Sequence, residues 1–94
     1  MALEKAAEAR RKRAELKEKL KMGSTSLRDL FGIADQDETI GKMKVLAVLE
    51  SLPGVGKVTA RRRMEEIGIS DTRRIRGLGA QQRSALLDSF GTGS

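Results

Sequence analysis

The sequence predicts an all-α fold in which a long N-terminal helix precedes a compact globular domain. Residues 2–21 are dominated by strong helix formers. Two later stretches carry apolar residues at helical spacing on either side of a Pro-Gly turn, and no stretch shows the period of two expected of a strand. The 94 residues suffice for one modest core. We therefore divide the chain into a basic helical arm, residues 1–22, and a domain, residues 23–94.

The N-terminal helix has a thin apolar stripe made mostly of alanine, so its burial stabilises it only weakly. Glu8 and Lys12 form a favourable pair of opposite charges four residues apart. Two interpretations of this helix stay open: a solvated arm, or an arm that contacts phosphate groups. The candidate contacts for the second interpretation are Arg10, Arg11, Arg13 and Lys17.

Residues 23–42 predict two short helices. Gly23 suits the left-handed position that follows a last helical turn. A serine or threonine within residues 24–26 can cap the next helix, and Asp29 completes a capping pattern. The acidic pair Asp37-Glu38 is more typical of a cap for a second short helix than of a two-carboxylate catalytic or metal site.

The two apolar stretches predict a helical hairpin. Residues 44–52 place valine or leucine at the i, i+3, i+4 and i+7 positions of one face, beginning at Val45. Pro53 stops this helix because it disfavours helical geometry at the residue before it. The second helix is expected from about Lys57 to Ile67. A last helix is expected over residues 80–90, and residues 91–94 should fray.

The turn between these helices, Pro53-Gly54-Val55-Gly56-Lys57, is predicted to hold a phosphate. Glycines relieve steric limits and allow a close approach, and a helix N-terminus offers N–H groups that have no partner within the helix. We expect the N–H groups of residues 54–58 to face outward and Lys57 to add a charge. The alternative is a tight helix–helix turn without a ligand.

Two known phosphate-binding patterns can be compared with this turn. The nucleotide-binding phosphate loop requires an additional glycine, where Ser51 stands, and a hydroxyl residue, where Val58 stands. Nucleotide binding is therefore not expected. Leu52-Pro53-Gly54-Val55-Gly56, with Ala60 four residues later, instead resembles the helix-hairpin-helix motif, which implies a reader of duplex backbones without sequence preference.

A second basic stretch, Thr72–Arg76, predicts a short helix. Ile75 would point inward while the arginines on either side of it project into solvent. Such a cluster suits phosphate contacts or insertion into a minor groove. The alternative is that the arginines pair with nearby acidic residues. These residues are Arg73, Arg74 and Arg76 on the basic side and Glu65, Glu66 and Asp71 on the acidic side.

The composition favours a polyanion as the partner. The net charge is +6, and its excess lies in residues 1–22 and 41–63. No apolar face suits membrane insertion, so we expect no membrane partner. The chain has no His, Cys, Trp or Tyr, which removes most catalytic nucleophiles, general bases and zinc ligands. We therefore predict neither an enzyme nor a bound cofactor or metal.

Residues 40–90 as a whole resemble the actinobacterial, mycobacterial-type integration host factor family. The resemblance rests on the runs Leu49–Lys57 and Arg73–Gly79, and it extends to the basic Glu4–Arg11 segment. It implies a long helix followed by a helix-two-turns-helix domain. It also implies a short proline-containing leader before the first helix, whereas this sequence begins almost directly with that helix.

The resemblance implies a nucleoid-associated protein of the cytoplasm that binds duplex DNA with little sequence preference. Such a protein bends or compacts DNA and assists phage integrase in site-specific recombination, and we expect it to be a monomer. The predicted DNA-contacting residues are Lys42, Lys44, Gly54, Val55, Gly56, Lys57, Val58, Thr59, Arg73, Arg74, Arg76, Gly77 and Gly79. Two other functions stay open: a protein that binds RNA or the ribosome, and an enzyme that carries a hairpin module, such as a glycosylase or a nuclease.

Overall fold

The computed structural model of the chain describes residues 2–90, with side chains described from residue 6. The expected fraying of residues 91–94 lies outside the described residues. Within them the fold is helical, and the elements in chain order are α1 Ala2–Met22, α2 Leu27–Gln36, α3 Glu38–Gly41, α4 Val45–Glu50, α5 Lys57–Ile67, a 3-10 turn Ile75–Gly77, and α6 Ala80–Phe90. No described helix is long and apolar enough to cross a membrane.

The C-terminal half of α1 packs into the core. Leu16 and Leu20 are buried there among residues of the globular part. Farther towards the N-terminus, Lys12 Nζ lies 3.2 Å from a carboxylate oxygen of Asp37 at the start of α3. The helix therefore stands against the domain along its last three turns, and Gly23 ends it with a φ of +79°, as its sequence predicts.

The caps of α2 and α3 follow the predicted chemistry. Ser26 is the N-cap of α2: its Oγ accepts from the Asp29 N–H at 3.1 Å, while the Asp29 carboxylate accepts from the Ser26 N–H at 3.3 Å. Asp37 caps α3 by accepting from the Thr39 N–H at 2.9 Å. Together these caps place the apolar face of α2, which includes Leu30 and Phe31, against the core.

The α4–α5 hairpin forms the other half of the core. Val45, Val48 and Leu49 of α4 are fully buried, and Ala60 and Met64 of α5 pack opposite them. A small side chain at residue 60 lets the two helix axes approach closely. The hairpin therefore fixes the direction in which the N-terminus of α5 points.

The predicted helix Thr72–Arg76 is wrong. Thr72 lies in a turn, Arg74 is extended, and only Ile75–Gly77 form a 3-10 turn. The reason is a non-local backbone pairing: the Val45 N–H donates to the Arg73 carbonyl and the Ile75 N–H donates to the Met43 carbonyl, both at 2.9 Å. These bonds satisfy backbone groups that a local helix would otherwise have to satisfy.

Helix α6 is held to α2 by a charged contact at the edge of the core. The guanidinium of Arg83 donates to both carboxylate oxygens of Asp35, at 2.8 and 3.1 Å, and lies over the Phe31 ring. These hydrogen bonds hold the pKa of the Asp35 carboxyl below its usual value. Buried Leu86 completes the contact of α6 with the core.

Candidate nucleic-acid interface

The hairpin turn, defined here as residues 53–59, presents a helix N-terminus without a cap. Gly56 is the N-cap residue of α5, and no side chain bonds to the first turn. The first backbone bond of the helix runs from the Ala60 N–H to the Gly56 carbonyl. Within residues 2–90, the N–H groups of residues 57–59 therefore have no protein acceptor and remain available to an anion.

One part of the turn prediction is wrong. The N–H of Val55 does not face an external ligand, because it donates to the Leu52 carbonyl at 3.1 Å. The Val55 side chain is half-buried against the core. This local bond closes the turn and removes the Val55 N–H from the predicted set of outward-facing donors.

The two glycines of the turn differ in whether the backbone conformation requires a glycine. Gly54 has a φ of +73°, a left-handed conformation that side chains rarely adopt. Gly56 has a φ of −92°, which any residue can adopt, and a Cβ placed there would meet nothing within 4 Å. Nothing within the described protein therefore requires a glycine at position 56. The open space above Gly56 suits the close approach of a ligand.

A groove of about 660 Å³ runs beside the hairpin turn and is basic on two sides. Lys57 lines it from α5, and Lys17 and Lys21 line it from the last turns of α1. Glu18 and Glu50 also reach its wall. The sequence predicts Lys17 only as one of the arm residues and does not point to Lys21, because nothing local places the end of α1 against this turn.

The first turn of α5 also exposes an apolar side chain. Val58 is 73% exposed although it stands in a helix that buries Ala60 and Met64. Thr59 beside it is exposed as well. An apolar side chain next to bare N–H groups suits the mixed surface of a nucleic-acid backbone, where sugars alternate with phosphates.

The second surface is the arginine segment, defined here as residues 72–77. The bridge that pairs Lys44 with Arg74 joins this segment to the start of α4. Ile75 is fully buried, as predicted, and the three arginines around it are exposed. Lys42 and Lys44 are exposed on the adjoining segment. The pairing thus gathers five cations from two separate parts of the chain.

The arginines do not pair with the acidic residues considered from the sequence. Arg73 donates to the Gly77 carbonyl at 3.3 Å, and Arg74 pairs with no acidic group in the described part of the chain. Arg76 lies 3.7 Å from Glu38 of α3. No local sequence pattern predicts this contact, since the two residues are far apart along the chain.

Gly77 and Gly79 support the segment through internal bonds. The Gly77 N–H donates to the Arg74 carbonyl at 2.9 Å, and the Gly79 N–H donates to the Gln82 side chain at 3.1 Å. Their backbone donors are therefore occupied. The two hydrogen bonds help to fix the shape of the arginine segment. A contact between these glycines and DNA stays a prediction.

The two surfaces lie at opposite ends of α4. Lys44 precedes the first residue of this helix and the hairpin turn follows its last turn. A helix of six residues is roughly 9 Å long. One rigid, buried helix therefore separates the two basic surfaces.

Comparison with known proteins identifies the family. Residues 20–90 match the S13-like H2TH domain. The chain is 59% identical over 91 residues to the integration host factor of Mycobacterium tuberculosis, an alignment that covers 97% of this chain and 87% of the relative. This chain belongs to the integration host factor family. It is also 56% identical over 94 residues to the integration host factor of Streptomyces coelicolor, which covers 99% of this chain and 88% of that relative.

A solved structure of an integration host factor extends this comparison. It is described as sIHF bound to an 8 bp palindromic DNA, and it matches with a TM-score of 0.90 at 55% identity. The match covers 94% of this chain and 99% of that chain. The predicted family and the predicted all-α, helix-two-turns-helix fold are both confirmed.

Proposed function

We propose that this integration host factor is an architectural protein of the nucleoid that binds duplex DNA through phosphate contacts on two surfaces. The observation that carries the proposal is the placement of two different basic surfaces at the two ends of α4. The hairpin turn offers bare backbone donors beside lysines, and the arginine segment offers guanidinium groups. The DNA bound in the structure of the relative sIHF supports duplex DNA as the partner.

Both surfaces suit contacts that carry little sequence information. Backbone N–H groups and exposed lysines recognise phosphate oxygens, which are the same at every base pair. Arginines can in addition enter a minor groove, where they respond to groove width. The protein therefore binds many sequences with similar affinity, and it acts by binding rather than by turnover.

Two surfaces on a monomer can bend or compact DNA. If one duplex contacts both surfaces, it must curve around the end of the domain, and if two duplexes each contact one surface, they are held together. Either arrangement would bring distant DNA segments close to each other. The name that the relatives carry supports a role beside phage integrase, where such bent or bridged DNA assists recombination.

The test of this function measures duplex affinity at several salt concentrations. A labelled duplex should bind with an affinity that falls steeply as salt rises. The triple variant R73A/R74A/R76A should bind about 100-fold more weakly and show a salt slope smaller by about two to three. An unchanged affinity and slope would show that the arginine segment does not contact DNA.

Structured RNA is the competitor that separates the proposal from its main alternative. The match to an S13-like domain gives RNA binding a specific observation in its favour. We expect duplex DNA to displace a bound RNA hairpin at lower concentration than the RNA displaces the duplex. A preference for the RNA would contradict the proposed function, and incubation with nicked or damaged duplex should give no product.

A further inference from the structure

Glu38 contacts two of the five cations that the arginine segment and the adjoining segment bring together. One of its carboxylate oxygens, Oε1, lies 3.3 Å from Lys42 Nζ and 3.7 Å from Arg76 Nη1. The same oxygen thus faces two cations from different parts of the chain. An anionic oxygen between an ammonium and a guanidinium is the arrangement that a DNA phosphate also adopts in basic sites.

Packing at Gly41 holds the stem of Arg76 at the end of α3. A Cβ added at Gly41 would lie 3.4 Å from the Cβ of Arg76 and 3.1 Å from the carbonyl oxygen of Ala34. Glycine at position 41 therefore lets the stem of Arg76 pack against the end of α3, next to Lys42. This packing anchors the stem of Arg76 beside the residue that precedes Lys42.

Glu38 itself is not fixed in place. Its side chain is 72% exposed, whereas Lys42 is 49% and Arg76 54% exposed. The cap of α3 is Asp37, which bonds to the Thr39 N–H, so the helix start does not depend on the Glu38 side chain. Exposed ion pairs are weak. The carboxylate can therefore swing away at little cost when a stronger anion arrives.

We propose that the position between Lys42 and Arg76 is a seat for a DNA phosphate, and that Glu38 occupies it in the free protein as an internal competitor. This inference rests on the proposed function, because it assigns one phosphate of the bound duplex to one position. It also gives Glu38 a role: it weakens binding at this surface, so the protein can release and exchange DNA.

The main test replaces the carboxylate by a neutral group of the same shape. E38Q should bind a labelled duplex about three- to tenfold more tightly than the unsubstituted protein, and its salt slope should be steeper by about one. The matched control is E66Q, which changes the net charge equally. Glu66 pairs with Arg63 on α5 at 3.2 Å, in an exposed pair of the same kind away from the arginine segment.

A second measurement tests the position rather than the charge. K42Q removes one of the two cations, and its effect is compared in the presence and absence of Glu38. The loss of affinity on K42Q should be larger in the E38Q background, because there Lys42 no longer shares its charge with the carboxylate. Equal losses in the two backgrounds would show that Glu38 and the phosphate do not compete for Lys42.

The outcomes separate this inference from the proposed function. If E38Q and E66Q raise the affinity equally, the gain is a general charge effect and the phosphate seat is wrong. If E38Q binds more weakly, Glu38 positions the cations instead of competing for them, which also overturns the inference. If the unsubstituted protein does not bind duplex DNA at all, the proposed function itself fails. Thermal unfolding of each variant shows that the fold is retained.

Discussion

The hairpin turn and the arginine segment are both basic, but they present their donors in different ways. In the turn the donors are backbone N–H groups, fixed in direction by the α4–α5 packing and independent of any side chain. In the arginine segment the donors are guanidinium groups at the ends of long, exposed side chains. Under the proposed function, we expect the hairpin turn to set the register of the DNA backbone and the arginine segment to supply most of the charge.

Among single substitutions, the largest effect should come from removing a backbone donor of the hairpin turn. Proline is accepted at the first helical position, and Gly56 before it is already extended, with a ψ of 172°. K57P should therefore fold, while losing both the charge and the N–H of residue 57. K57A loses the charge alone. We expect K57P to bind duplex DNA about tenfold more weakly than K57A, since a charge-assisted bond is lost.

Fluorescence anisotropy with a labelled duplex measures both affinities, and circular dichroism checks that α5 is intact. Equal affinities for K57P and K57A would mean that the turn acts through the lysine charge alone. In that case both surfaces would bind DNA through side-chain charge, and the proposed role of the backbone N–H groups would be wrong.

The two glycines of the turn give the next largest effect. G56A adds a methyl group into open space, but alanine is a poorer N-cap than glycine, so these opposing effects should change the stability by less than about 1 kcal/mol. The same methyl group stands where a phosphate would approach, and affinity should fall about threefold to tenfold. G54A instead forces a left-handed conformation and should destabilise the fold by roughly 1–2 kcal/mol.

Chemical denaturation and duplex binding, measured on both variants, separate a folding glycine from a binding glycine. A loss of stability in G56A, with affinity unchanged, would show that its glycine serves the fold after all. Gly54 and Gly56 have equivalent places in the sequence motif, and these two measurements distinguish their effects on folding and on binding.

A smaller effect is expected for one arginine of the arginine segment. R74A removes an exposed guanidinium that has no acidic partner among the described residues, so affinity should fall about threefold to fivefold and the salt slope by about one. R28A is the matched control, since Arg28 is exposed on α2, outside both surfaces. Equal effects of the two substitutions would indicate that the long-range field of the protein, rather than contact at this segment, governs binding.

The sequence predicts the hairpin turn better than the arginine segment, and the reason is physical. The elements around the turn depend on local features: the helical spacing of buried Val45 and Leu49, the stop at Pro53 and the left-handed Gly54. All of these act over a few residues. The family resemblance, which covers nearly the whole chain, adds the order of the helices.

The non-helical backbone at Arg73 and Arg74 depends instead on a partner distant in the chain. Its bonds go to Met43 and Val45, so no local pattern could distinguish it from a short helix. The same holds for the contact between Glu38 and Arg76, and for the placement of Lys21 beside the hairpin turn. Ion pairs within one helix are also hard to assign from the sequence, because more than one basic residue of α5 lies within one turn of Glu66 and the one that pairs with it is Arg63.

The smallest effect concerns a charged contact that serves the fold and neither DNA surface. Asp35 accepts two hydrogen bonds from Arg83, and these hold its pKa below the usual value in the folded state. A carboxyl group with a lowered folded pKa stabilises the fold above its unfolded pKa, and this contribution is lost as the pH falls through the folded pKa. Asp35 is 57% exposed, so solvent screens the contact and the contribution is small.

D35N should therefore lower the melting temperature slightly at neutral pH, and the difference from the unsubstituted protein should shrink as the solution is acidified below the ordinary pKa of aspartate. Thermal unfolding at a series of pH values measures both.

D88N is the control, since Asp88 on α6 has no ion pair within the described residues and should show no such convergence. Duplex affinity at neutral pH should be nearly equal in the two variants, because each removes one negative charge outside the two surfaces. A large loss of affinity in D35N alone would instead mean that the α2–α6 contact positions a DNA surface, and the division between folding contacts and binding contacts would then have to be drawn elsewhere.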